Sequence, residues 1–127
     1  MCISILSQDL LVTSRVAGVA DSLQLPVASF SSLAHLQATW NKSPGKVVAI
    51  DLTLGELDIE KVIQWTRSQA SGVKVIAFGP HVHVKKLAHA DKAGCDQVYV
   101  RGEFFSQMPA IFSRLLAEVG MRSEEDQ

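Results

Sequence analysis

The stretch Lys46–Thr53, KVVAIDLT, constrains the fold of this 127-residue chain more than any other. Its apolar run, Val47 to Ile50, has no polar face, so as a strand it must be covered on both sides. Strands of that kind belong to parallel sheets held between helical layers, and in such folds ligands bind in the crevice at the carboxyl ends of the strands. The run ends in a carboxylate, Asp51, and a glycine-containing loop, Leu54-Gly55-Glu56, follows. Asp51 is therefore carried to the place where chemistry is expected.

The flanking sequence repeats the strand-then-helix signal. Cys2 to Leu6 reads as a first strand, and Ser7 or Asp9 caps a helix with a broad apolar stripe through Leu10, Leu11, Val12, Val16, Val19 and Leu23. After Pro26, Val27–Phe30 is a second short strand. Ser31 or Ser32 then caps a helix that places Leu33, Leu36 and Trp40 on one face. Lys46 to Leu52 is the third strand. Asp58 caps a helix lined by Ile59, Val62, Ile63, Thr66 and Ala70 and closed by Gly72. Val73 to Phe78 is the fourth strand, ending at Gly79-Pro80. A helix from about Val82 to Ala93 stops at Gly94, where a left-handed conformation is permitted. Gln97 to Val100 is the fifth strand, ending at Arg101-Gly102. A single last helix carries Phe105, Met108, Ile111, Phe112, Leu115 and Val119 on its inner stripe.

Alternating strands and helices with short connections imply right-handed crossovers and a parallel sheet with helices on both faces. The expected fold is α/β: a three-layer (βα)5 flavodoxin-like arrangement with strand order 2-1-3-4-5 and a switch point between the first and third strands. Residues 1–121 are expected to form a single domain, and Arg122 to Gln127 a polar tail.

Composition narrows the function. A formal net charge of -1 leaves no basic surplus to neutralise nucleic-acid phosphates, which argues against nucleic-acid binding. Cys2 and Cys95 form no CxxC and have no zinc-ligand spacing, so they read as thiols in a reducing compartment. The N-terminus MCISILSQDLLV lacks a basic region and is interrupted by polar residues, arguing against a signal peptide or membrane span. The expected location is the cytoplasm.

Across Ile3 to Val119 the sequence resembles the receiver domain of bacterial response regulators. The resemblance is carried by the apolar strand ending in Asp51, the fourth strand leading to the small residue Gly79, and Ala93-Gly94-Cys95-Asp96, similar to the Ala-Gly-Ala-Asp turn before strand five. Val100-Arg101-Gly102-Glu103-Phe104 is similar to the Lys-Pro-Phe segment that follows that strand. In receivers, acids after strand one hold Mg²⁺, an Asp after strand three accepts phosphate, a hydroxyl residue ends strand four and a Lys ends strand five. Each role offsets or carries the charge of a transferring phosphoryl group. The resemblance thus implies that Asp51 is the phosphoacceptor-like residue.

The other positions depart from that pattern. Ser7-Gln8-Asp9 stands where the paired acids would be, Gly79 replaces the hydroxyl residue, Arg101 replaces the lysine and Gly102 replaces the proline. Asp51 with Asp9 is a thin ligand set for Mg²⁺, a hard cation that demands octahedral oxygen coordination, so no cofactor is expected. Asp51 is expected instead to cap the loop that follows it or to form an ion pair with the planar fork of Arg101. The crevice would be lined by Ser7, Gln8, Asp9, Gly79, His81 and Arg101.

Other features add little chemistry. His81 and His83 form an HxH pair, but His89 lies on another side of its helix and no third metal ligand converges. No Gly-x-Gly-x-x-Gly or P-loop follows any strand, and no flavin phosphate loop follows strand one. Cys95 lies at the edge opposite the crevice, where Asp96 would raise its pKa. Trp65, on a helix flank, serves as an interface anchor or as a core residue packed on the neighbouring helix. The wide apolar arc from Phe104 to Leu116 suggests a homodimer through the last helix and fifth strand.

The sequence therefore favours a degenerate, pseudo-receiver-like regulatory or protein-interaction module: not an enzyme, independent of phosphorylation, and acting through a protein partner because no output domain is seen after Val119. Two alternatives stand beside it. One is a working single-domain receiver phosphorylated on Asp51 in a two-component system. The other is a small flavodoxin-like ligand-binding protein or enzyme that uses the crevice.

Overall fold

The computed structural model describes residues 3–42, 44–70 and 72–125, with side chains as far as 119. Cys2 lies outside the described residues. The strands are β1 (Ile3–Leu6), β2 (Val27–Phe30), β3 (Val47–Asp51), β4 (Lys74–Gly79) and β5 (Gln97–Val100). They alternate with α1 (Leu10–Ser22), α2 (Leu33–Thr39), α3 (Ile59–Gln69) and α4 (Val84–Ala93), and end in α5 (Arg101–Ser106) and α6 (Met108–Glu125). All strand pairs are parallel, in the order β2-β1-β3-β4-β5, the flavodoxin-like order read from the sequence.

β3 lies between β1 and β4, and all of it is buried. Because side chains alternate along a strand, its residues divide between two cores. Val47 and Ala49 join Ile3, Ile5, Val12, Val16, Phe104, Phe112 and Leu115 under α1, α5 and α6. Val48 and Ile50 join Leu36, Trp40, Ile59, Val62 and Ile63 under α2 and α3. This double coverage is what an all-apolar run requires, and it leaves Asp51 as the polar end of the strand.

Short polar residues set the helix starts. Side-chain oxygens of Asp9, Ser32 and Asp58 accept the amides of Leu11, His35 and Lys61, each relieving an otherwise unpaired N–H. Gly94 ends α4 at φ 110°, a conformation that strains any residue with a Cβ.

Several boundaries differ from the sequence reading. α4 begins at Val84 rather than Val82, because His81 and Val82 form a turn closed by His83 N–H donating to the Pro80 carbonyl. α3 ends at Gln69, followed by an extended, exposed Ala70 rather than a glycine cap. The expected last helix is two helices. Pro109 sits in the first turn of α6, where its missing N–H costs nothing, but it would break a helix running straight through. Phe104 rather than Phe105 is fully buried, stacked on Phe78 with ring centroids 4.2 Å apart and edge-on to Phe112. The broad apolar arc is thus consumed inside one chain, so its width no longer argues for a second copy. α6 continues to Glu125, into the stretch read as a polar tail.

Candidate functional site at the carboxyl end of the sheet

Asp51 ends β3 and is 2% exposed. Its Oδ2 accepts the Ser7 hydroxyl at 2.6 Å. Its Oδ1 accepts both the Thr53 amide at 2.9 Å and the Thr53 hydroxyl at 2.7 Å. Both carboxyl oxygens are therefore engaged by the chain itself. Ser7 is buried at the end of β1, and its Oγ also accepts the Asp9 amide at 3.1 Å. One hydroxyl thus couples the acid to the first turn of α1.

Of the two roles expected of Asp51, the loop cap is present through Thr53, whereas the ion pair with Arg101 does not form. Arg101 Nη2 bonds Asp9 Oδ2 at 3.1 Å, while Asp9 Oδ1 caps α1 through the Leu11 amide at 2.9 Å. The physical reason is competition. Thr53, two residues from Asp51, occupies the near oxygen through a local turn, Ser7 occupies the other, and Asp9 retains a free oxygen facing the β5–α5 junction. The Leu11 amide first, then the Arg101 guanidinium, holds the Asp9 carboxyl below the usual carboxylate range, against the opposing effect of desolvation. Arg101 also lies over the Phe105 ring at 5.3 Å, and Arg15 over the same ring at 4.9 Å.

The remaining crevice residues are more dispersed. Gln8 is exposed and donates from Nε2 to the Ser31 carbonyl at 3.2 Å, toward the β2–α2 loop. Gly79 ends β4. A Cβ there would lie 3.2 Å from Leu52 Cβ, so Leu52 occupies the room a larger residue would need. The His81 side chain is exposed and makes no hydrogen bond or ion pair among the described residues. Ser7, Asp9, Asp51 and Arg101 are thus linked by contact, whereas Gln8 and His81 lie outside that network.

Thr53 was missed in the sequence reading. Its signal was an Asp-x-Thr string at a strand end, a pattern in which the acid accepts the amide two residues on. His83 N-caps α4 without a side-chain bond. His89 Nε2 stands 3.6 Å from Glu60 Oε1. Trp65 packs edge-on against Trp40 with centroids 5.2 Å apart, so it is a flank of the core. Cys95 is buried at the far edge of the sheet, and burial, reinforced by Asp96, pushes its thiol up to about 12.

The donor set does not fit a Mg²⁺ centre. Such an ion needs several oxygen ligands in octahedral array, whereas of the two carboxylates here Asp51 already accepts three hydrogen bonds and Asp9 is paired with a guanidinium. No group of three or more His, Cys, Asp or Glu side chains among the described residues is arranged to hold a metal ion.

No protein-family model matches the sequence, and no curated protein matches it. Solved structures do. NtrX from Brucella abortus superposes with a TM-score of 0.83 at 15% identity over 98% of this chain, which spans 28% of that one. A BeF3-activated DrrB receiver domain gives 0.77 at 16% identity over 91% of this chain and 97% of that one. A CheY-like receiver domain protein from Methanospirillum hungatei JF-1 gives 0.80 at 12% identity, covering 95% and 97%. The chain has the response-regulator receiver fold. No helix among the described residues is long and apolar enough to cross a membrane.

Proposed function

We propose that this chain is a non-enzymatic, receiver-fold regulatory module that acts by binding a protein partner and does not depend on phosphorylation of Asp51. The observation that carries the reading is that Asp51 is buried and held by three donors of the chain itself. An acid that attacks a phosphoryl group needs an accessible oxygen, a divalent cation and a fixed positive charge. Here both oxygens accept donors from Ser7 and Thr53, and the guanidinium is committed to Asp9. The same network supports a fixed rather than a switching crevice, because opening it would leave a buried acid without donors.

The test is an NMR titration with beryllofluoride and Mg²⁺. The amides of Ser7, Leu52, Thr53 and Leu54 are expected to stay in place, and Mg²⁺-dependent shifts at those positions would overturn the reading. In parallel, wild type and Asp51→Asn are used as bait in the native host, after circular dichroism shows both are folded. Both are expected to retain the same partners, and loss of every partner in Asp51→Asn sinks phosphorylation independence.

A further inference from the structure

On the α3–α4 side of the sheet, away from the Asp9–Arg101 bridge, a cleft of about 430 Å³ opens between the β3–α3 loop and α4. Its floor is aliphatic: Leu52, Leu54 and Ile59 line it, and each is less than a tenth exposed. Its outer wall carries Lys85, Lys86 and His89. His89 is matched by Glu60, and Glu56 is the acid on the loop side. Lys85 and Lys86 have no ion-pair partner among the described residues, and with Glu56 the one acid in its lining the cleft keeps a net positive charge.

Helix stability does not explain that lysine pair. Both stand in the first turn of α4, which holds no acid, and there a cation opposes the helix dipole instead of complementing it. We propose that the cleft is a binding site for a small amphipathic anion, a carboxylate or phosphate head on an apolar chain or ring. The tail would lie on Leu52, Leu54 and Ile59, and the head would take the charge of Lys85 and Lys86. A volume near 430 Å³ falls within the range of small-molecule sites, about 300–1,000 Å³. A protein interface needs roughly 800 Å² per partner with an apolar centre. The most exposed large hydrophobics, Leu10, Leu11, Val82, Val84 and Val100, do not line this cleft, so its charged surroundings suit a small ligand better than a protein face.

Decanoate is the probe, followed by ¹H–¹⁵N NMR on the full chain, with acetate as the head alone and decanol as the tail alone. Decanoate is expected to give saturable shifts at the amides of Leu54 to Leu57 and Lys85 to His89, with acetate and decanol at least about fivefold weaker. The double variant Lys85→Gln/Lys86→Gln alters two exposed side chains and is expected to keep the wild-type spectrum elsewhere while weakening decanoate by about fivefold or more. The proposal is overturned if decanoate gives no saturable shift at these amides, binds the variant as tightly as wild type, or binds no better than decanol. Binding only to phosphatidylglycerol vesicles, with none to monomeric decanoate, overturns it equally.

Discussion

Arg101 Nη2 lies 3.1 Å from Asp9 Oδ2, so the first residue of α5 is tied to the N-cap of α1 across the carboxyl end of the sheet. The pH dependence of that tie has a definite sign. The folded-state pKa of Asp9 is lowered, first by the Leu11 amide and then by Arg101. Its contribution to stability is therefore present above the unfolded-state value of about 3.9 and is lost as pH falls through the lower folded value. Asp9→Asn isolates the charge, because asparagine caps helices about as well as aspartate. Thermal melts of the two proteins are expected to differ at pH 6 and to converge as the pH falls through the lowered folded-state value. A gap that persists unchanged into acid would contradict this account.

Ser7 and Thr53 hold Asp51 by different means, and their variants separate the two. Ser7→Ala leaves buried Oδ2 without its donor, an unsatisfied group that costs about 1–3 kcal/mol. Thr53→Val removes one of two donors to Oδ1 and keeps the backbone amide at 2.9 Å, so about 0.5–1.5 kcal/mol is expected. Urea unfolding of both variants measures the order. If Thr53→Val proves the more damaging, Ser7 is not the principal tether of Asp51.

What could be read in the sequence follows from how local each signal is. β3 and β4 were legible because an apolar run with no polar face admits few alternatives, and the strand order followed from short crossovers. Asp58 was legible as a cap, and Asp9 as one of two candidates beside Ser7, because each directly precedes an apolar-periodic segment. The partner of Arg101 was not legible. Arg101 reaches Asp9, 92 residues away in the chain, while Ser7 and Thr53 hold Asp51, and that pairing is a three-dimensional fact. The start of α5 was hidden for a similar reason. Arg101-Gly102 reads as loop, yet the stacking of Phe104 on Phe78 draws the chain into a helical turn that glycine alone would disfavour.

Cys95 gives a chemical check on the far edge of the sheet. Its thiol, raised to about 12 by burial and by Asp96, stays protonated in the folded protein at neutral pH. The thiolate is the nucleophile, so iodoacetamide at pH 8 is expected to label Cys95 slowly in buffer and rapidly in urea, where the pKa returns to about 8.5. A raised folded-state pKa contributes stability that is full below about 8.5 and is lost as pH rises toward the folded value. Cys95→Ala is therefore expected to flatten the loss of stability between pH ~8.5 and ~11. Equal labelling rates in buffer and urea would show that the thiol is not buried in solution.

Ser4 and Gly45 form a coupled pair at the amino end of the sheet. Ser4 is fully buried in β1, and its Oγ finds no hydrogen-bond partner among the described residues. Ser4→Ala removes that unsatisfied hydroxyl and is expected to stabilise the protein by about 1 kcal/mol. Gly45 lies close to the same side chain: an added Cβ would stand 2.5 Å from Ser4 Oγ and 3.4 Å from the Trp40 ring. Gly45→Ala is therefore expected to cost about 1–3 kcal/mol through overpacking. In the double variant the closest clash disappears with the hydroxyl, while the Ser4 Cβ contact at 3.2 Å remains. Urea unfolding of all four proteins should give a double variant more stable than the sum of the singles by at least about 0.5 kcal/mol. Simple additivity would mean that the loop at Gly45 moves away from β1 and that Ser4 does not set the space there.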